Sequence, residues 1–148
     1  MFEWLESLAI AEAVRSSRWG YPLVEATHIA AFASMFGSVL TVEMRVFGLH
    51  KRLPALELGR LGVHVALAAF VVIVCSGTLV FVANATELVS NPALQVKLGL
   101  ITLAVLNMVV FHARGSLVKL DAIARAQAAL SLALWLGVIC AGRLIAYL

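Results

Sequence analysis

The sequence predicts an all-α integral membrane protein: a four-transmembrane-helix bundle with a short N-terminal amphipathic surface helix. Two observations carry that prediction. The chain is 63% hydrophobic and only 13% charged, whereas soluble domains are roughly half apolar and about a quarter charged. It also contains several near-continuous apolar runs of about twenty residues, the length needed to cross the hydrocarbon core.

The N-terminal stretch MFEWLESLAIAEAVRSS lacks the basic start of a cleavable signal and scatters Glu3, Glu6 and Glu12 among apolar positions. Phe2, Leu5, Leu8 and Ala9 recur at helical spacing, which suits a helix lying on the membrane surface. The first span runs from Tyr21 to Phe47, with Pro22 in its first turn, where a missing N–H costs nothing. The second covers Leu61 to Ala83. The third opens on the cap pair Asn91-Pro92 and covers 92–113, with His112 at its end. The fourth covers Ala124 to Tyr147. These spans make 1–148 a single transmembrane domain without a linker.

The loops set the expected orientation. Lys51, Arg52 and Arg60 follow the first span and Arg114, Lys119 and Arg125 follow the third, while NATELVSN after the second holds no Lys or Arg. The positive-inside rule then makes both basic loops cytoplasmic and puts both termini outside. Because the basic residues belong to these loops, the net charge of +3 is no sign of nucleic-acid binding. Cys75 and Cys140 fall within spans and form no metal or disulfide motif, so they read as small apolar residues. Ala30, Ala33, Ser34, Gly37 and Ser38 make a small-residue stripe on span one, and Gly137 with Ala141 a shorter one on span four. Such stripes allow close helix approach within one chain or between copies, and a homo-oligomer is expected.

Ionisable groups in hydrocarbon are costly unless paired or wetted, so each is a candidate functional residue. At about 1.5 Å per residue, His28 lies about 10 Å below the outer end of span one. Lys97 lies about 8 Å below the outer end of span three, with Arg143 at similar depth in span four. Glu25 and Gln95 could join this level. At the inner side, His64 enters span two and His112 closes span three. Two imidazoles on neighbouring helices are the usual axial ligands of a b-type haem. His64 and His112 also read as interfacial side chains, Lys97 and Arg143 as cations snorkelling to the interface, and Met35 and Met108 as core. Glu43 and Arg45 read as boundary residues where span one leaves the inner leaflet. A flat apolar ligand with two carboxylates, such as haem b, suits the cationic outer level, whereas a transported metal ion would be repelled by Lys97 and Arg143.

The stretch from His28 to His50, HIAAFASMFGSVLTVEMRVFGLH, resembles the first helix of the small membrane protoporphyrinogen oxidases, with His28, Gly37, Arg45 and His50 at nearly corresponding places. LQVKLGLITLAVLNMVVFH resembles that family's third span through Lys97 and His112. The copper-resistance protein D family shares the pattern. Trp19, Tyr21, Pro22, Glu25, His28 and Ile29 match the WxYPxxExxHI opening of small uncharacterised bacterial membrane proteins, which the chain also resembles. The Lys97–His112 interval is about one helical turn longer than in the oxidases. The resemblance implies a haem-binding protein of the bacterial inner membrane, for electron transfer or porphyrin redox chemistry, and an oxidoreductase if it is an enzyme. In that family the first-helix His and this Lys are the residues tied to haem binding and activity.

Two haem arrangements therefore stand open: His64 with His112 as axial ligands, or His28 as ligand with Lys97 and Arg143 on the propionates. A quinone or a redox protein is the expected partner. The alternatives are a copper or other metal transport or resistance protein, and a non-catalytic membrane subunit of a redox complex.

Overall fold

The computed structural model describes residues 3–147. The described residues are helical throughout, joined by turns: α1 (Glu3–Glu6), α2 (Ala9–Ser16), α3 (Gly20–Val46), α4 (Ala55–Ala83), α5 (Ala85–Ser90), α6 (Pro92–Ala113), α7 (Ser116–Lys119) and α8 (Ala122–Leu144). Four of them, α3, α4, α6 and α8, are long and apolar enough to cross a membrane. They carry large apolar side chains on their outward faces, among them Ile29, Val71, Val74, Leu103, Leu106 and Leu136. In water that surface would be unfavourable, whereas against lipid tails it is neutral, and the bilayer is the environment it fits.

Local chemistry sets the helix ends. Asn91 caps α6 by accepting hydrogen bonds from the backbone N–H of Ala93 at 2.9 Å and of Leu94, with Pro92 in the first turn. Its amide also donates to the carbonyl of Ile145 at 3.1 Å, tying the start of α6 to the end of α8. Asp121 caps α8 through the N–H of Ala124. The second long helix begins at Ala55, ahead of the apolar run that starts at Leu61, because Pro54 places the N-terminal boundary and Glu57 favours a first turn. α3 ends where Gly48 takes a left-handed φ of 93°.

The bundle consists of two hairpins. α3 packs along α4 and α6 along α8, and α3 meets α8 to join the pairs. Met35, Ala69, Ile73, Ala104, Trp135 and Val138 form the central core, with the Phe32 and Trp135 rings edge-on at 6.0 Å. A second cluster of Val46, Phe111, Leu117, Ala124 and Ala128 closes the end that carries the basic loops.

Within α3 the face that packs is the one bearing His28, Phe32, Met35 and Val39, while Ala30, Ala33, Ser34 and Gly37 face outward. The close approach is supplied from the other side of the seam. A Cβ at Gly62 of α4 would come 2.5 Å from Val42 Cγ2, and 3.5 Å from the Ser38 carbonyl oxygen. Bulky residues on α3 thus fit small ones on α4. The span-four stripe does pack within the chain: Ala141 is buried, and a Cβ at Gly137 would meet Leu100 of α6 at 3.2 Å.

The N-terminal segment is helical but broken by an extended Leu8. Its buried side chains are Ala11 and Val14, whereas Leu8 and Ala9 are exposed; Phe2 lies outside the described residues. Arg15 donates to the carbonyls of Ala83 and Glu6, and Glu6 accepts the Thr86 N–H at 2.8 Å. Those bonds fold α1 and α2 over the bundle end that carries both termini.

Candidate functional site

His28 is held in the α3–α4 seam near the terminus-bearing end. Its Nδ1 lies 2.9 Å from the Ser76 hydroxyl. That hydroxyl has one proton, which it donates to the Val72 carbonyl at 2.6 Å, so towards the imidazole it acts as acceptor. The Nδ1 is therefore the protonated nitrogen, and the Nε2 lone pair stays uncommitted among the described residues. Ser76 is buried, and Gly77 beside it makes room for the ring, since a Cβ there would stand 3.2 Å from His28 Cε1.

Lys97 and Glu25 both lie close enough to act electrostatically on this imidazole. The Lys97 side chain reaches from α6 across to α8, where a Cβ at Gly142 would come 3.4 Å from its Nζ. Neither ion pair of the described residues involves it. The predicted third cation behaves differently. Arg143 is exposed, donates to the Tyr147 hydroxyl at 2.6 Å and stacks over that ring at 4.9 Å. Gln95 donates back to the Val89 carbonyl in α5, just ahead of its own helix.

At the other end, His64 Nδ1 meets the Arg60 carbonyl at 2.7 Å and His112 Nδ1 meets the Met108 carbonyl at 2.9 Å. A carbonyl can only accept, so both rings keep Nε2 as the free lone pair. His112 lines a cavity of about 220 Å³ to which all four long helices contribute side chains. His64 is not among the lining residues, although its neighbours Val63 and Leu67 are. His50 sits in the loop after α3 with a φ of 48°.

Glu43 is the residue that sequence reasoning missed. Read as a boundary side chain, it is instead only 6% exposed, lines this cavity, and leaves Oε2 without a hydrogen-bond partner among the described residues. Arg45 does act at the boundary, donating to the carbonyls of Leu53 and Lys51 and so pinning the loop. The signal for Glu43 was its register: it falls on the broad face of α3 that holds Met35 and Val39, the packing face.

The polar groups around Glu43 belong to a chain that starts in the basic loop. Arg114 pairs with Asp121 through two hydrogen bonds and also donates to Ser116. Ser116 donates to the side-chain oxygen of Gln127, whose backbone carbonyl accepts from Asn107 at 3.0 Å. The Arg114 guanidinium holds the Asp121 carboxyl well below the usual carboxylate range.

No group of three or more His, Cys, Asp or Glu side chains suited to a metal ion occurs among the described residues. Cys75 and Cys140 are free and exposed. Met35 and Met108, expected in the core, both line the cavity. No known protein family, no curated protein and no solved structure matches this chain.

Proposed function

We propose that this chain is a bacterial inner-membrane protein, with both termini outside, that binds b-type haem through His28 and serves electron transfer or porphyrin redox chemistry. The observation that carries the reading is the state of His28. It is an imidazole deep in a span, its Nδ1–H committed to Ser76 and its Nε2 lone pair free, with the ammonium of Lys97 close by. A ligating His whose other nitrogen is fixed by a hydrogen bond is the usual arrangement at haem and metal sites. The donor set fits haem: His28 Nε2 would hold the iron, with Ser76 setting the tautomer and Gly77 seating the ring, and Lys97 would meet a carboxylate of the porphyrin edge. When bound, haem supplies one-electron chemistry inside the membrane. Arg143, turned to Tyr147, has no part in this arrangement.

The test is optical. Protein expressed with haem supplied should purify with a Soret band, and His28→Ala should abolish or shift it while His64→Ala and His112→Ala leave it in place. A colourless protein, or one carrying stoichiometric copper instead, refutes the reading. An unchanged spectrum in His28→Ala with loss in His112→Ala moves the ligand to the basic-loop end and refutes the assignment.

A further inference from the structure

The basic-loop half of the bundle holds the cavity of about 220 Å³, and its surface is almost wholly apolar, with Phe70 of α4, Phe111 of α6 and Trp135 of α8 among its walls. Into this apolar space projects Glu43, nine-tenths buried and with Oε2 unpartnered among the described residues. A carboxyl group placed so is costly unless something donates to it. The Ser131 hydroxyl stands against the carboxyl group. One N–H of the Asn107 amide goes to the Gln127 carbonyl, and the Gln127 side-chain oxygen accepts from Ser116. On another wall His112 offers its Nε2 lone pair, because its Nδ1 is spent on Met108. The cavity therefore has acceptors on two different helices, α3 and α6, among aromatic walls. α4 and α6 do not pack along one another, which leaves the cavity open to lipid on that side.

We propose that this cavity binds a lipid-soluble hydroxyaromatic of the hydroquinone class. One hydroxyl donates to Glu43 and the other to His112 Nε2, the ring lies among the aromatic walls, and an apolar tail leaves between α4 and α6. An ionised Glu43 can only accept, and an oxidised quinone, which carries only acceptors, leaves it unpartnered; a quinone would be held only by a protonated carboxyl group. A lipophilic cation would satisfy Glu43, but this end of the bundle also carries Lys51, Arg52, Arg60, Lys119 and Arg125, whose field opposes a cation. The site lies at the opposite end of the spans from His28 and stands whether or not haem is bound there.

The experiment is a calorimetric titration of the full chain in lipid nanodiscs with a decyl-substituted benzohydroquinone kept reduced, corrected with empty discs. Saturable binding at one site per chain is expected. The matching quinone should bind about tenfold more weakly or worse, and Glu43→Gln should weaken hydroquinone binding by about tenfold or more, as expected when a charge-assisted hydrogen bond becomes a neutral one. Ala66→Phe, which fills the cavity from α4 and leaves Glu43 intact, should remove binding. Should Glu43→Gln fail to fold, the comparison of quinone with hydroquinone and the Ala66→Phe result decide. The proposal is overturned by absence of saturable binding to the wild-type chain, by equal affinity for quinone and hydroquinone, or by undiminished binding in Ala66→Phe. Tighter saturable binding of dodecyldimethylamine overturns it in favour of a cation site.

Discussion

Substituting Gly77 by Ala isolates what seats His28. The added Cβ would stand 3.2 Å from His28 Cε1 and 3.7 Å from Nδ1. Carbon atoms settle at about 3.5–4.0 Å, so the ring must retreat by roughly 0.3–0.8 Å. Its bond to Ser76 starts at 2.9 Å, and that retreat carries it to about 3.2–3.7 Å, at or beyond the useful limit. Losing such a bond costs about 0.5–1.5 kcal/mol. Against this, Ala in a helix interior gains up to about 1 kcal/mol over Gly. Gly77→Ala should therefore lie within about 1 kcal/mol of wild type. Gly99→Ala serves as the control, because nothing lies within 4 Å of its added Cβ; it should show the helix-propensity gain alone. Unfolding in bicelles measures the difference, and the ¹⁵N shifts of the His28 imidazole report on its hydrogen bond. If Gly77→Ala stabilises as much as Gly99→Ala and leaves those shifts unmoved, the ring is not seated as described.

The remaining predictions concern the basic-loop end. Because Arg114 depresses the Asp121 carboxyl from its ordinary value of 3.8, the pair's contribution is complete at neutral pH. It declines as pH falls below that value, where the unfolded chain takes up a proton that the folded one resists. Asp121→Asn keeps a capping acceptor but loses the charge; its melting temperature should be lower at pH 7, with the gap to wild type closing in acid. A gap that stays constant down to pH 2 would count against the ion pair. Asn107→Ala removes the bond from α6 to the Gln127 carbonyl on α8 and should cost about 0.6 kcal/mol, with roughly 1.7 kcal/mol as the upper end for interhelical bonds in membranes. Bicelle unfolding measures it, and a loss of several kcal/mol would mean that Asn107 supports far more than this one contact.

Hydropathy alone determined the number of spans, their chain order and the helical class, because crossing hydrocarbon is a demand each segment meets by itself: enough consecutive apolar residues, with backbone bonds closed internally. Local cap chemistry is likewise a property of a few adjacent residues, and Asn91-Pro92 was legible for that reason. Helix rotation was not. In span one the small-residue stripe reads as the packing face and His28 as lying on a separate one, but it is the His28 face that packs. The choice fell to the small residues of α4, which accept the bulky Phe32, Met35 and His28 but could not fill space against Ala30, Ser34 and Gly37. Depth likewise suggested Arg143 as a companion for Lys97, but its direction is set by Tyr147, four residues on and just past the end of α8. Glu43 sits three residues before the end of α3, and depth placed it at the boundary. Only the arrival of α8, with Ser131 and Trp135, encloses it. Depth along a helix can be read from one segment, but direction has meaning only relative to neighbours, and tertiary structure decides those.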